Sequence, residues 1–479
     1  MGRILVRGGH ILSMDPEIGI LPQGDVLIED GLIAHIAPSI PAVDAEVIDA
    51  SGHIVAPGLI DTHRHTWQAL LRGLATDWST TEYLVQVRFG ISRAYQPSDI
   101  KLANTLGAFD ALNGGVTTIL DFSHSINTPD HADAAVEGLR DAGIRAVFGY
   151  GFFESSPGSP IYFPDTAARI KDLNRVADTY FSSNDALITL GVSLTEPVSV
   201  PFSTTRAEIE AARSLGAVMV THTGTIHSLP NGVRELDAGG LLGPDMVHVH
   251  GTALDDEEWA IIARTGGKVS IAVEPELNSG MGRPPFAACE RHGIKPTLSC
   301  DSVCSTPGDM LSQLRFALGF KRWENNEAAN LAGKDPASLS ITAADALRWS
   351  TVNAAEAVGL GDRIGSLSPG KQADLLIVGG AALNQHPRIN AAGTLLAHTT
   401  AAEVRHVLVG GKVVKRDGVL LSAQLPTLLD EADRATADLL ARAEALPSGL
   451  PDLLRNGFSA EQALANLRDT TPQHSNRSS

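Results

Sequence analysis

From Pro57 onward the chain repeats one rhythm. A short apolar run is followed by a longer stretch with helical periodicity. The runs are "GLIDTHRH", "GVTTILDFSH", "IRAVFGYGFF", "ALITLGVSLTEP", "GAVMVTHTG", "DMVHVHG", "GGKVSIAVEPE" and "IKPTLSCDS", and stretches such as "HADAAVEGLRDAG", "TTRAEIEAARSLG" and "DDEEWAIIARTG" lie between them. Such alternation predicts parallel strands joined by crossover helices. Eight units predict an α/β fold, a (β/α)8 TIM-like barrel over residues 57–362.

The two ends read differently. Residues 1–56 hold the β-rich runs "RILVRGGHILSM", "GDVLIEDGLIAHIA" and "AEVIDASGHIVA", broken by Gly, Pro and Asp turn signals. After Asp362 strands return in "GSLSPGKQADLLIVGG" and "VRHVLVGGKVVKRDGVLL". We expect residues 1–56 and 363–421 to form one small β-sandwich domain built from both chain ends. Residues 422–479 read as a C-terminal helical extension, because "PTLLDEADRATADLLARAEAL" has apolar residues at helical spacing, and "TTPQHSNRSS" reads as a frayed tail.

Composition excludes several partners. With 37 basic and 55 acidic residues the formal charge is −18, which argues against nucleic acid and anionic membrane. Cys289, Cys300 and Cys304 are too few for a disulfide framework and are expected as reduced thiols. "MGRILVRGGHILSMDPEIG" lacks the apolar core and cleavage site of a secretion signal, and no run reaches the ~18 apolar residues of a membrane span. The expectation is a cytoplasmic protein.

The strand ends carry the chemistry. Residues two apart in a strand share a face, so His63 and His65 point together and Arg64 points away. Alone, a His-x-His pair says little. But His222 ends the fifth run, His250 the sixth and Asp301 the eighth, all at the rim where barrel enzymes keep their active sites. Three imidazoles and a carboxylate suit Zn²⁺, Fe²⁺ or a similar divalent ion. His248, two before His250, is read as structural.

The sequence resembles the amidohydrolase superfamily, in its cytosine deaminase and chlorohydrolase-like branch of guanine, 8-oxoguanine and S-adenosylhomocysteine deaminases and triazine hydrolases. "VAPGLIDTHRH", "WQALLRGLATD", "GVTTILD", "GIRAVFGYG", "HGTALDDEEW", "NAAEAVGLGDRIGSLSPGKQADLLIV" and "VRHVLVGGKVV" carry the resemblance over nearly the whole chain. It implies His63, His65, His222 and Asp301 as ligands of one metal ion, with zinc expected and iron or another transition metal as alternatives. It implies Asp301 as the proton carrier and His250 as the residue that orients the water or steadies the oxyanion. Relatives with two ions bridge them with a strand-four lysine, and the fourth run has none. Relatives are often homo-oligomers, so a dimer or larger assembly is expected.

One departure bears on the substrate. Many deaminases of this branch have His-x-x-Glu at strand five, where the glutamate protonates a ring nitrogen. Here Thr225 occupies that place, and threonine is no acid at neutral pH. Either another carboxylate substitutes, with Glu196, Glu274 and Glu276 as candidates, or the substrate is an amide, urea or carbamate that needs no such proton. Read as strand, Glu274 and Glu276 share a face and both line the pocket. His124 and Ser123, ending the second run, and Trp67 and Gln68, following the His-x-His, are expected in the pocket wall. Trp78 and Tyr83 belong either to a covering loop or to the packed core. The leading function is hydrolysis of a non-peptide C–N bond of a small molecule. Displacement of another leaving group, such as chloride, and a non-catalytic scaffold are the alternatives. No phosphate-binding loop or dinucleotide fingerprint occurs.

Overall fold

The computed structural model describes residues 2–41, 44–153, 162–183 and 186–446. The "TTPQHSNRSS" tail, and everything else after residue 446, lies outside them.

The N-terminal runs form strands β1 (Ile4–Leu12), β2 (Ile20–Glu29), β3 (Leu32–Ala37), β4 (Glu46–Asp49) and β5 (His53–Pro57). The β2–β3 hairpin turns at Asp30 and Gly31, both with positive φ, the conformation a tight two-residue turn requires. Eight strands follow: β6 (Leu59–Arg64), β7 (Val116–Ser123), β8 (Arg145–Gly151), β9 (Ile188–Ser193), β10 (Val218–Thr223), β11 (Met246–His250), β12 (Lys268–Ile271) and β13 (Pro296–Leu298). The far end supplies β14 (Leu375–Gly379), β15 (Val404–Val409), β16 (Lys412–Arg416) and β17 (Val419–Leu420).

β6 to β13 pair in sequence order, all parallel. A parallel bridge between Arg64 and Asp301 joins the last strand back to the first. The barrel of the sequence reading is present. Ile60, Leu120, Phe122, Val147, Val220, Val247 and Val249 pack in one cluster with Ala354 and Ala355 of the helix Val352–Ala357.

The end strands form one nine-stranded mixed sheet, in the order β17-β16-β15-β14-β5-β1-β2-β3 with β4 beside β1. It curls on itself, so that Ile28 and Ile33 share a core with Leu375, Ile377 and Leu408. The chain passes from this sheet into the barrel at Gly58, where a Cβ would lie 2.1 Å from Thr117 Oγ1, so only glycine fits. The helix Leu425–Ala445 packs back on the barrel. Thr436 Oγ1 donates to the Leu70 carbonyl at 2.9 Å, and Arg442 pairs with Asp99.

One element differs from the sequence reading. The seventh strand stops at Ile271, and Val273–Asn278 is a short helix. Pro275 cannot donate to a strand ladder but is tolerated in a helix's first turn, and Glu274 and Glu276 complement its dipole there.

A buried ion pair ties the two units together. Arg145, at the start of β8, forks onto Asp374 at 2.8 and 2.9 Å, and Gly410 N donates to the same carboxylate at 2.7 Å. Removing one partner strands a buried charge. Arg145→Met is expected to lower stability by about 3 kcal/mol in urea denaturation. An unchanged midpoint would show that this pair does not hold the joint.

Candidate active site

The β6 end is built around an irregular register between Asp61 and Arg64. The buried Arg64 guanidinium turns out of the barrel, donating to Asp61 Oδ2 at 3.2 Å, the Gly308 carbonyl at 3.2 Å and Asp110 Oδ2 at 3.1 Å. That leaves His63 and His65 facing the mouth. His63 N–H donates to Asp61 Oδ1, as does Cys300 N–H. Asp301 N–H donates to the His63 carbonyl at 3.0 Å, and His65 N–H donates to the Asp301 carbonyl at 2.9 Å.

The expected ligand residues converge. The ring nitrogens of His63, His65 and His222 lie within 4.8 Å of one another, and so do the ligand atoms of His63, His250 and Asp301. Asp301 Oδ1 is 3.2 Å from Nε2 of both His63 and His65, and Oδ2 is 3.9 Å from His250 Nε2. His250 and Asp301 have φ of +73° and +58°. Non-glycine residues pay strain there, a cost that clusters at functional sites.

The ring partners sort the nitrogens. His65 Nδ1 meets the Phe122 carbonyl at 3.3 Å, His222 Nδ1 meets Glu196 Oε1 at 3.0 Å, and His250 Nδ1 meets Glu276 Oε1 at 3.1 Å. Each acceptor fixes a tautomer in which Nε2 is free to serve the centre, an arrangement typical of metal-binding imidazoles. Among the described residues neither nitrogen of the buried His63 ring has a hydrogen-bond partner. Burial drives His63 well below the usual histidine range and lowers His222, so both stay neutral and able to ligate. Burial pushes the Asp301 carboxyl up, but the imidazoles of His63, His65 and His250 close around it reverse this and hold it well below its ordinary value. Burial also opposes charge on His250, and there the Glu276 hydrogen bond and Asp301 win and raise it. Buried nitrogen donors around one carboxylate are the donor set that a divalent ion such as zinc takes.

The remaining candidates separate. His65, His124, Glu196, His222, Thr225, His250 and Asp301 line one cavity at the barrel mouth. Trp67 and Gln68 are absent from its wall, contrary to expectation. The turn Thr66–Leu71 is a 3-10 helix that buries both behind it. Trp67 Nε1 lies 3.3 Å from His124 Nδ1, and the same nitrogen is 3.3 Å from the Phe122 carbonyl. Gln68 donates to Tyr83 Oη at 2.6 Å and accepts from Ser302 Oγ. Glu276 is also not in the wall. It is buried, held by Ala272 N at 2.9 Å as well as by His250, while Glu274 turns to Gln313. A helix sends residues two apart to different sides, so the shared face read from a strand does not exist. Ser123 is buried and outside the lining. His248 packs away from the cavity, its Nδ1 3.0 Å from Thr223 Oγ1. Tyr83 does line the cavity, whereas Trp78 packs on the hydrophobic core. Sequence reasoning missed Arg88, also in the wall. Its signal was a lone cation in the apolar stretch "YLVQVRFG".

The amidohydrolase family model matches residues 54–414, most of the chain and all eight barrel strands. The chain belongs to the amidohydrolase family. It is a metal-dependent hydrolase acting on non-peptide C–N bonds. This amidohydrolase is 29% identical to a 5-methylthioadenosine/S-adenosylhomocysteine deaminase of Symbiobacterium thermophilum, covering 92% of this chain and all of that protein. It is 25% identical to a 5'-deoxyadenosine deaminase of Methanosarcina mazei, covering 92% of this chain and 99% of the other. Its fold matches a zinc-bound adenosine deaminase of Xanthomonas campestris, with a TM-score of 0.80, 24% identity and 92% and 99% coverage. It also matches a zinc complex of atrazine chlorohydrolase from Arthrobacter aurescens, with a TM-score of 0.79, 19% identity and 90% and 100% coverage.

The loop that carries Glu196 is anchored by a buried acid. Thr195 N donates to Glu208 Oε2 at 3.0 Å, and Thr195 Oγ1 lies 2.9 Å from Oε1. Burial pushes the Glu208 carboxyl up to about 8 from an unfolded value near 4.5. Between those values the unfolded amidohydrolase releases a proton that the folded one keeps, so stability falls as pH rises, by roughly 1.4 kcal/mol per unit from this group. Urea midpoints from pH 5 to 8 should fall less steeply in Glu208→Gln than in the wild type. Equal slopes would contradict the assignment.

Proposed function

We propose that this amidohydrolase hydrolyses an amide-like C–N bond, in an amide, urea, carbamate or ring amide, at a carbon that already bears its own oxygen. One observation carries the choice. Thr225 stands in the cavity wall where an acid would serve ring-nitrogen protonation, and its Oγ1 is buried with no partner among the described residues. Of the carboxylates in the described wall, only Glu196 and Asp301 remain, and Glu196 is engaged with His222.

His63, His65, His222 and Asp301 would hold one divalent ion, zinc by the donor set. When bound, such an ion lowers the pKa of water toward neutrality. Asp301 takes the proton of the attacking water as the C–O bond forms, then gives it to the nitrogen as the C–N bond breaks. His250, whose charged form is favoured by Glu276 at Nδ1 and by Asp301, donates from Nε2 to the oxygen that gains charge. His124 lines the wall beside them. A homo-oligomer, as the resemblance implies, and a cytoplasmic location belong to the same proposal.

A second reading has its own support: the curated relatives are deaminases, and Glu196 lines the cavity. In that reading Glu196 protonates the ring of an N-heterocycle and ammonia leaves.

Metal-loaded protein is offered amides, ureas, carbamates, cyclic amides and aminated heterocycles, and amines and ammonia are followed separately. Substituted amine, or ring opening without ammonia, is the expected result, and Asp301→Ala should lose about a thousandfold or more in turnover. Ammonia from aminated rings alone would replace the proposal with the second reading.

Glu276→Gln keeps the shape of the His250 support but removes its charge. It is expected to lower turnover about tenfold to a hundredfold with metal content unchanged. Unchanged turnover would remove Glu276 from the account.

A further inference from the structure

Arg88 closes the short π-helical segment Leu84–Arg88, which directly follows the helix Thr80–Tyr83. Single π-turns recur at functional sites because they re-aim one side chain. Here the segment sends Arg88 into the cavity wall, together with Tyr83.

Arg88 is 5% exposed, and among the described residues its side chain has no hydrogen-bond or ion-pair partner. It rests on aromatic faces, 4.4 Å from the Phe153 ring centre and 5.2 Å from that of Phe89. Those faces offset part of the desolvation cost but accept none of its five N–H groups. Glu196, whose charge acts on Arg88, has its Oε1 on His222 Nδ1 at 3.0 Å and is not within ion-pair distance of Arg88. A second buried cation, Arg169, adds to the positive potential, while the Tyr83 hydroxyl is neutral and accepts from Gln68. Burial pulls Arg88 down to about 10, which still leaves it fully charged at neutral pH.

A buried, charged fork that faces a ligand cavity with its donors uncommitted among the described residues calls for an anion. Resting on the hydrolase reading above, we infer that the substrate carries a carboxylate, and that Arg88 is the specificity-determining residue that binds it. The carboxylate's two oxygens match the planar fork, which a lysine reproduces only as a point charge. The substrate class narrows to an amide-like compound bearing an acid group apart from the scissile bond.

The test uses benzoate and calorimetry on the metal-loaded protein, so it needs no turnover and is independent of the bond cleaved. Wild type should bind benzoate. Arg88→Met should weaken that binding about tenfold or more, and Arg88→Lys by less, with metal content and melting temperature of the lysine variant close to wild type. Once a substrate is in hand, Arg88→Met should raise KM for the free acid and leave its methyl ester unaffected. No benzoate binding by the wild type, or equal binding in all three proteins, would overturn the inference. Equal binding would place the carboxylate on the metal instead.

Discussion

Asp301 donates its backbone N–H to His63 and accepts from the N–H of His65. Those two hydrogen bonds join the last barrel strand to the first, and everything at the mouth depends on them. They fix the Asp301 carboxylate 3.2 Å from both imidazoles, and the positive φ of Asp301 is the conformation they hold in place. Arg64 works on the other side of the same seam, tying Asp61, Asp110 and the Gly308 carbonyl behind the histidines. Closure of the fold and assembly of the centre are therefore one event. A barrel that failed to close would also scatter this cluster of side chains.

Around that seam each element has a narrow task. β10 and β11 bring His222 and His250, and each ring is oriented by a carboxylate outside the strand. Glu196 holds His222 from the loop after β9, and Glu276 holds His250 from the helix after β12. The tail helix braces the 3-10 turn behind His65 through Thr436 and Leu70. Trp67 and Gln68 transmit that support to His124, Tyr83 and Ser302. The chemistry faces the cavity, and its supports lie behind it.

The barrel was legible because its strands are short apolar runs separated by helical stretches, and period-two alternation places end residues on one face. That rule puts His63 and His65 on one face, and His222, His250 and Asp301 stand at the ends of their runs. Other residues were harder to place for physical reasons. Glu274 and Glu276 read as strand neighbours, but Pro275 breaks the ladder and starts a helix, which separates them. Trp67 and Gln68 follow the His-x-His directly, yet a 3-10 turn carries them behind the wall. Arg88 lies in a π-helical turn, which has no sequence period to reveal where its side chain points.

The metal centre is the claim on which the rest stands. The most direct measurement is metal analysis of the purified chain combined with X-ray absorption at the metal edge. The account predicts about one divalent ion per chain, with imidazole nitrogen and carboxylate oxygen ligands at roughly 2.0–2.2 Å and no sulfur. It also predicts that the ion is lost in His65→Ala. A protein free of stoichiometric metal, or a sulfur shell from Cys300 or Cys304, would contradict it.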